Sequence, residues 1–387
     1  MLIPRERVLL TLERVLPDRV PLDIWTSYPF LQKLLEYFGC PKRVAVHPHL
    51  DREGIVDKVY DKLGVDLRMV MVEPPEHFKR VGVFDPRFHF PWGIRLREDV
   101  LKDEWGVIRT LNVTKTQSRI IGYPLKGKDV SYLDEYEFPD PYAPGRYDLV
   151  EKQIREWGEK YAVIGYPGGD PFFSQAWYLC GFNELIKHMY TNPPFVERLF
   201  EKLLYFFSAT CKELVKLGVD MVMLADDVAW QESLLLPPSL WRRYVKPRLE
   251  KLISAIKGGR EKAYVIYHSD GNISPIVPEL IEIGVDILNP VQPEAMNPAE
   301  IKEKYGEKLI LYGTISIQRT LPYGTVEDVR KEVMERIKTC GYNGGLILAP
   351  SNQVLIDTKI ENFLALYECA KIYGRYPLRW VLMRNIY

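Results

Sequence analysis

The chain has 387 residues, and its 52 lysine and arginine side chains are balanced by 52 aspartate and glutamate side chains. This balance gives no reason to expect a nucleic acid or a membrane surface as a partner. No apolar run approaches the roughly 20 residues of a membrane span, and MLIPRERVLL at the start is typical of a helix rather than a signal peptide. The cysteines show no CxxC or other close spacing, which favours small buried side chains in a reducing cytoplasm. They are Cys40, Cys180, Cys211, Cys340 and Cys369.

In chain order, the first predicted element is a helix over 4–16, with Pro4 near its first turn. An insertion at about 76–145 is rich in Pro, Gly, Arg, Phe and Trp, and its β-branched and aromatic stretches predict a small antiparallel sheet. This insertion either covers part of the opening of the barrel that is predicted below or packs on the fold without a function of its own. Residues 181–217 predict one or two long helices with a break near 191–194, and strand–helix units follow from about 219 to 373.

Eight short apolar runs end abruptly at polar residues. They are VPLDIW (20–25), LRMVMVE (67–73), YAVIGYP (161–167), VDMVMLADD (219–227), AYVIYHSD (263–270), VDILNPVQP (285–293), KLILYGTI (308–315) and GGLILAPSN (344–352). Such runs between helices predict parallel strands buried on both faces, and eight units predict a single-domain TIM (β/α)8 barrel over 1–387. Chemistry in that fold lies at the carboxyl ends of the strands. The polar residues there are Asp23, Glu73, Asp226, Asp227, His268, Asp270, Gln292 and Asn352.

His268 is the only histidine predicted at a strand end. An extended backbone places His268 and Asp270 on the same side, where they can act as acid–base partners or as ligands of a divalent ion. The alternative is a histidine that is merely hydrogen-bonded at the strand end. Asp226 and Asp227 are adjacent and point in opposite directions, so one is expected to face the site while the other caps a turn or helix.

Other strand ends offer groups for substrate binding. Glu73 is either a buried carboxylate that needs a partner or a surface carboxylate, and Asn352 either hydrogen-bonds a substrate or satisfies loop backbone. Aromatic side chains after the strand ends favour a planar or methyl-bearing ligand, unless they serve core packing alone. The candidates for this wall are Trp25, Tyr28, Phe172, Phe173, Trp177 and Trp230. Lysine and arginine are absent from the strand ends, and GYPGGDPFF (165–173) lacks the pattern of a phosphate-binding loop.

Several segments carry a family resemblance. PRERVLLTLERVLPDRVPLDIW, DEWG (103–106) with FPDP (138–141), YHSDGNISPIVPELIEIGVDILNPVQP (267–293) and LAPSNQVLIDTKIENFLALYECAKIYGRYP (348–377) resemble the uroporphyrinogen decarboxylase-like superfamily. The resemblance covers nearly the whole chain and implies a (β/α)8 barrel, without deciding the reaction. Members include tetrapyrrole decarboxylases and zinc-dependent methyltransferases that exchange methyl groups with corrinoid proteins.

Departures from the family patterns separate these branches. The decarboxylases carry an RQAGRY-type motif after the first strand and a late GHGI-type motif, whereas this chain has DIWTSYPFLQ and LAPSNQV. A substrate with eight carboxylates would find no matching cations there. The thiol-methylating branch binds zinc through HxC and a later cysteine. His268 matches that histidine, but Asp270 replaces the first cysteine and Asn352 falls near the second.

The resemblance thus implies the methyltransferase branch, with zinc held by His268 and Asp270 and by Asp227 or Glu73. The expected function is the first component of a corrinoid-dependent system similar to anaerobic O-demethylases. It would move a methyl group from a small donor, such as a methoxylated aromatic, to the cobalt of a partner corrinoid protein. The chain has no recognisable cobalamin module, so the corrinoid comes from that partner; a homodimer is also expected to be possible. The alternatives are other methyl donors, a tetrapyrrole decarboxylase, and a non-catalytic corrinoid or tetrapyrrole carrier.

Overall fold

A computed structural model of the protein describes residues 2–40, 54–88, 90–113, 117–259 and 263–378. Two sheets account for the strands in these ranges: a curled, all-parallel sheet in the order β1-β7-β8-β9-β10-β11-β12, and an antiparallel sheet in the order β2-β3-β4-β5-β6. The strands are β1 Leu67–Met71, β2 Val83–Phe84, β3 Trp92–Arg97, β4 Val100–Lys102, β5 Ile108–Leu111, β6 Ser118–Gly122, β7 Ala162–Tyr166, β8 Met221–Ala225, β9 Tyr264–His268, β10 Ile287–Asn289, β11 Ile310–Tyr312 and β12 Leu346–Ile347.

Helices precede, connect and follow the parallel strands. They are α1 Pro4–Leu12, α2 Tyr28–Tyr37, α3 Ile55–Leu63, α4 Glu76–Val81, α5 Tyr132–Glu135, α6 Asp148–Trp157, α7 Phe173–Cys180, α8 Phe182–Thr191, α9 Pro193–Leu217, α10 Pro238–Leu240, α11 Lys246–Lys257, α12 Val277–Glu282, α13 Pro298–Tyr305, α14 Thr320–Tyr323, α15 Val326–Cys340 and α16 Ile360–Tyr373, with a π-helical turn at Trp241–Val245 and a 3₁₀ turn at Ser274–Ile276. The predicted break near 191–194 lies between α8 and α9, and α1 ends four residues earlier than predicted. No helix in the described ranges is both long and apolar enough to cross a membrane.

The parallel strands are buried on both faces because their side chains alternate between two apolar clusters. In β8, Met221 and Met223 belong to the cluster inside the curled sheet, whereas Val222 and Leu224 belong to the cluster between sheet and helices. Ala225 continues the inward series. The same alternation, extended past the end of the strand, determines which polar side chains reach the inside.

The first predicted strand is the exception to the pattern. Residues 20–25 form no regular strand, and only isolated parallel bridges join Leu22 to Leu348 and Thr26 to Val354. Pro21 lacks an amide hydrogen, which prevents a continuous ladder. The segment nevertheless bonds on both sides: the amide of Asp66 donates to the Leu22 carbonyl at 2.8 Å, and the amide of Leu348 donates to the Pro21 carbonyl at 2.9 Å.

The insertion contains the predicted antiparallel sheet, β2–β6, within Val83–Gly122. It is tied to the end of β1 through the buried carboxylate of Glu73, which accepts hydrogen bonds from Trp92 Nε1 at 2.9 Å and from Lys79 Nζ at 3.1 Å. A second tie is Arg146, whose guanidinium donates to both carboxylate oxygens of Glu104 and to the carbonyl of Glu73. These contacts hold the insertion beside the carboxyl ends of the parallel strands.

Candidate active site

Three ionisable side chains converge beyond the ends of β8 and β9. Ligand atoms of Asp227, His268 and Asp270 all lie within 4.8 Å of one another. The inward series of β8 passes from Met223 through Ala225 to position 227, and the equivalent series in β9 passes from position 266 through 268 to 270. Because side chains alternate along a strand, these three polar groups all face the inside of the sheet, just beyond its apolar interior.

Hydrogen bonds hold the cluster in place. The Asp270 amide donates to Asp227 Oδ1 at 2.9 Å, and Asn352 Nδ2 donates to Asp270 Oδ2 at 2.6 Å. Asp270 Oδ1 is buried and has no hydrogen-bond partner. The cluster thus contains a carboxylate oxygen that a proton or a cation could satisfy.

The orientation of the His268 ring is determined by its neighbours. His268 Nδ1 lies 2.6 Å from Asn289 Oδ1, while Asn289 Nδ2 donates to the carbonyl of Tyr312 at 3.3 Å. Because Asn289 presents an acceptor, Nδ1 carries the proton and Nε2 is left for a ligand or substrate. Trp25 stacks on the imidazole with ring centroids 5.4 Å apart and an interplanar angle of 10°.

The electrostatics of the cluster favour bound positive charge. Burial, together with the nearby Asp270 carboxylate, raises the pKa of Asp227 to about 6. Burial alone would lower the pKa of His268, but the carboxylates of Asp270 and Asp227 outweigh it and raise that pKa. Groups whose proton affinity is increased in this way also attract a metal cation.

Asp226 points away from this cluster. It is 1 % exposed, and its carboxylate accepts hydrogen bonds from the backbone amides of Ser174 at 2.7 Å and Phe173 at 3.3 Å, at the first turn of α7. Burial raises the pKa of Asp226 well above its ordinary value. Of the two adjacent aspartates proposed as catalytic, Asp227 lies in the cluster and Asp226 caps a helix.

An inner cavity of about 100 Å³ opens over the cluster. Its apolar lining includes Met69, Met71 and Met223. Asp170, which the strand-end criterion missed, also lines it: Tyr178 donates to Asp170 Oδ2 at 2.9 Å and Tyr166 donates to Oδ1. Asp170 lies in the GYPGGDPFF turn, where it follows the two glycines rather than the strand itself.

A larger outer cavity of about 560 Å³ adjoins the inner one, and the two share Tyr178, Asp227 and Gln353. Three arginines of the insertion line the outer cavity: Arg87, Arg109 and Arg119. No arginine or lysine was expected at the strand ends, and the cations near the site instead come from β5, β6 and the loop after β2. The arginine-rich composition of the insertion was the available signal.

The remaining predicted substrate-binding residues are distributed over several places. Trp25 lines the inner cavity, and Tyr28 and Trp177 line the outer one. Phe172 and Phe173 are fully buried in the hydrophobic core. Three further candidates lie elsewhere around the mouth: Trp230 is 65 % exposed, Glu73 binds the insertion, and Asn352 binds Asp270. All five cysteines are free, four of them buried.

Comparison with known proteins identifies the class. A family model described as "Uroporphyrinogen decarboxylase (URO-D)" matches residues 111–373. The chain therefore belongs to the uroporphyrinogen decarboxylase family, a family of enzymes.

Individual relatives are distant. The chain is similar to uroporphyrinogen decarboxylase of Gluconobacter oxydans (strain 621H), at 27 % identity over 182 residues, 45 % of this chain and 49 % of that protein. It is also similar to uroporphyrinogen decarboxylase of Chlorobaculum tepidum, at 21 % identity over 237 residues, 58 % of this chain and 63 % of that protein. The match thus spans about half of the first curated relative and somewhat less than two-thirds of the second.

A solved structure covers the chain more completely. A methyltransferase from Methanosarcina mazei superposes with a TM-score of 0.68 over 96 % of this chain and 99 % of that one, at 20 % identity. Similarity at this level of identity establishes the shared α/β fold.

Proposed function

We propose that the protein is a corrinoid-dependent methyltransferase, which moves a methyl group from a small donor, such as a methoxylated aromatic, to the cobalt of a corrinoid carried by a separate protein. The main observation in support is the cluster of Asp227, His268 and Asp270, which faces a small methionine-lined cavity. The family includes tetrapyrrole decarboxylases, and the solved structure that covers most of the chain belongs to a methyltransferase. The proposal includes a closed (β/α)8 barrel, in which the hydrogen bonds on both sides of segment 20–26 support its place as the first of eight strands.

The cluster fits a zinc ion. One imidazole nitrogen and two carboxylates are common zinc ligands, and they would leave a coordination position for a substrate. The unpartnered Oδ1 of Asp270 and the free Nε2 of His268 support this assignment. Bound zinc would supply Lewis-acid polarisation of the donor's oxygen or nitrogen, which weakens its bond to the methyl group.

The protein's own groups prepare the donor. Asn289 holds the His268 ring and Asn352 holds Asp270, so neither side chain has to reorganise when a ligand arrives. Methionines and Trp25 supply an apolar wall that excludes water from a methyl group. Tyr178 lies at the boundary of the two cavities, and its hydroxyl donates to Asp170, which holds the ring in place as part of the wall beside the donor.

Metal analysis provides the first test. Purified wild type is compared with His268→Ala and with His77→Ala, which removes an exposed histidine on α4. We expect near-stoichiometric zinc in wild type and in His77→Ala, and loss of zinc in His268→Ala. Zinc-loaded protein is then assayed for methyl transfer from candidate donors to a cobalt(I) corrinoid. Wild type free of metal after metal-replete purification, or equal zinc in all three proteins, would refute the proposed site.

Uroporphyrinogen decarboxylation is the second candidate, and the arginines of the outer cavity favour it because they could hold substrate carboxylates. Turnover of uroporphyrinogen without metal or partner would establish it in place of methyl transfer. Tight porphyrin or corrinoid binding with neither reaction would instead indicate a carrier.

A further inference from the structure

We infer that the outer cavity binds an anionic group, and that the methyl donor is an aromatic carboxylate rather than a neutral methoxylated compound. Arg119 and Arg109 are the residues that would determine this specificity. The inference rests on the proposed function for the identity of the donor, but its physical basis is the charge distribution around the two cavities.

Arg119 is the most available of the cations. It lies on β6 with its side chain exposed, and within the described ranges it forms no hydrogen bond or ion pair through that side chain. A guanidinium with five unengaged donors matches a carboxylate in a bidentate geometry.

Arg109 is a buried residue in the wall of the outer cavity. It is 6 % exposed and lies between two aromatic rings, with its guanidinium carbon 5.0 Å from the Phe90 centroid and 4.9 Å from the Tyr178 centroid. Its ion pair with Asp103 is long, with Nε 3.5 Å from Oδ2. The stacking fixes the plane of the guanidinium, so that donors not used by Asp103 remain oriented for a ligand.

The third arginine is held in place by a buried carboxylate. Arg87 and Arg95 both donate to the buried carboxylate of Asp85, at 2.6 and 3.0 Å. Burial opposes ionisation of Asp85, yet the hydrogen bonds from the two guanidinium groups lower its pKa. The Glu98 carboxylate also lies near Arg87, so this group offers guanidinium donors held in place rather than surplus charge.

The two cavities consequently differ in their charged groups. Asp170 and Asp227 line the inner one, with Asp270 next to Asp227, whereas the outer one shares Asp227 and adds the three insertion arginines. An elongated ligand with an anionic end and a neutral methyl-bearing end would be oriented with its methyl group inward. A volume of about 560 Å³ for the outer cavity is within the range of sites for small organic ligands.

Binding calorimetry on the zinc-loaded protein, without corrinoid or partner, tests the inference separately from methyl transfer. The probes are 4-methoxybenzoate and its neutral counterpart 4-methoxybenzamide. We expect wild type to bind the carboxylate about 10- to 100-fold more tightly, the range of a charge-assisted hydrogen bond or a bidentate pair. Arg119→Gln should remove most of this preference, whereas Arg97→Gln, an exposed arginine of the same sheet that does not line the cavity, should retain it.

Arg109→Lys provides a second variant that keeps the charge of this buried position while removing its planar geometry; it should also reduce the preference. Equal affinity of wild type for acid and amide would overturn the inference. A third probe, the tetrapyrrole carboxylate coproporphyrin, distinguishes the source of the anionic group. Arginine-dependent binding of coproporphyrin, with no preference for the benzoate over the benzamide, would assign the cavity to a tetrapyrrole. That result would also overturn the inference. Acid selectivity with no methyl transfer from any donor would refute the proposed function alone.

Discussion

Asp23 provides a quantitative test of the structure beneath the site. It is 6 % exposed, and its carboxylate accepts a hydrogen bond from the hydroxyl of Tyr312. Trp25 Nε1 donates to the same hydroxyl at 2.9 Å, and Trp25 stacks on His268. Burial raises the pKa of Asp23 from 3.8 to about 6, although the hydrogen bond from Tyr312 opposes this effect.

The sign of the pH effect follows from the raised pKa. Below the unfolded pKa the carboxyl is protonated in both states, and the folded state bears no ionisation penalty. As pH rises through the folded pKa, the buried carboxyl must ionise, and stability is lost. A difference between about 6 and 3.8 corresponds to about 3 kcal/mol, at 1.36 kcal/mol for each pKa unit. That loss develops between about pH 4 and pH 6 and is complete near pH 7.

Urea unfolding of wild type and Asp23→Asn from pH 4 to pH 7.5 measures this effect as a difference, because other titrating groups are common to both proteins. We expect Asp23→Asn to become more stable relative to wild type by about 3 kcal/mol across this range. Asp85→Asn is the control: because the pKa of Asp85 is lowered from 3.8, its pH-dependent effect lies below about pH 4, and its difference from wild type should stay nearly constant over this range. A pH-independent difference between wild type and Asp23→Asn would refute the reasoning.

Three further substitutions test the supports of the site by urea unfolding. Asp226→Ala leaves two buried amides of α7 without an acceptor and should cost about 2–4 kcal/mol, while Asp226→Asn should cost less; equal effects would contradict a capping role. Gly271→Ala should cost about 2–4 kcal/mol, because Gly271 has φ +84° and a Cβ there would lie 2.4 Å from the carbonyl oxygen of Trp230; wild-type stability would exclude this clash. Glu73→Ala should cost about 1–3 kcal/mol and accelerate hydrogen exchange in the insertion sheet, because the Trp92 indole loses its acceptor; unchanged exchange would show that this bond does not anchor the sheet.

Much of the fold could be predicted from local sequence patterns. Apolar runs as long as a strand, each followed by helical sequence, predict the seven parallel strands. A strand buried on both faces needs apolar side chains at successive positions, because neighbouring side chains point to opposite faces. The run at 20–25 has the same composition but contains Pro21, and it makes isolated bridges instead of a ladder. The antiparallel sheet was predictable from its aromatic and β-branched residues, whereas its anchoring to Glu73 depends on side chains that meet only after folding.

The site shows where local patterns become insufficient. Position at a strand end identified His268, Asp227 and Asp270. It could not decide whether Asp226 or Asp227 faces the inside of the sheet, because that orientation depends on how β8 packs against its neighbouring strands. Asn289 was missed for a related reason: it lies opposite His268 in the register of β10 and β9, and register is a property of the assembled sheet. Asp170 is held by two tyrosines and follows a glycine turn, so that no strand-end rule would select it.

The charge at the reacting position separates the two candidate reactions. A decarboxylase must bring a substrate carboxylate to its reaction centre, where nearby carboxylates would repel it. Here Asp170 and Asp227 line the inner cavity beside one histidine, with Asp270 next to Asp227, and the arginines line the outer cavity. Several carboxyl groups beside a single histidine suit a metal cation and a neutral methyl group better than a substrate carboxylate. The same arrangement allows an anionic group at the other end of the donor, so carboxylate binding by the arginines of the outer cavity and methyl transfer at the inner cavity are compatible in one site.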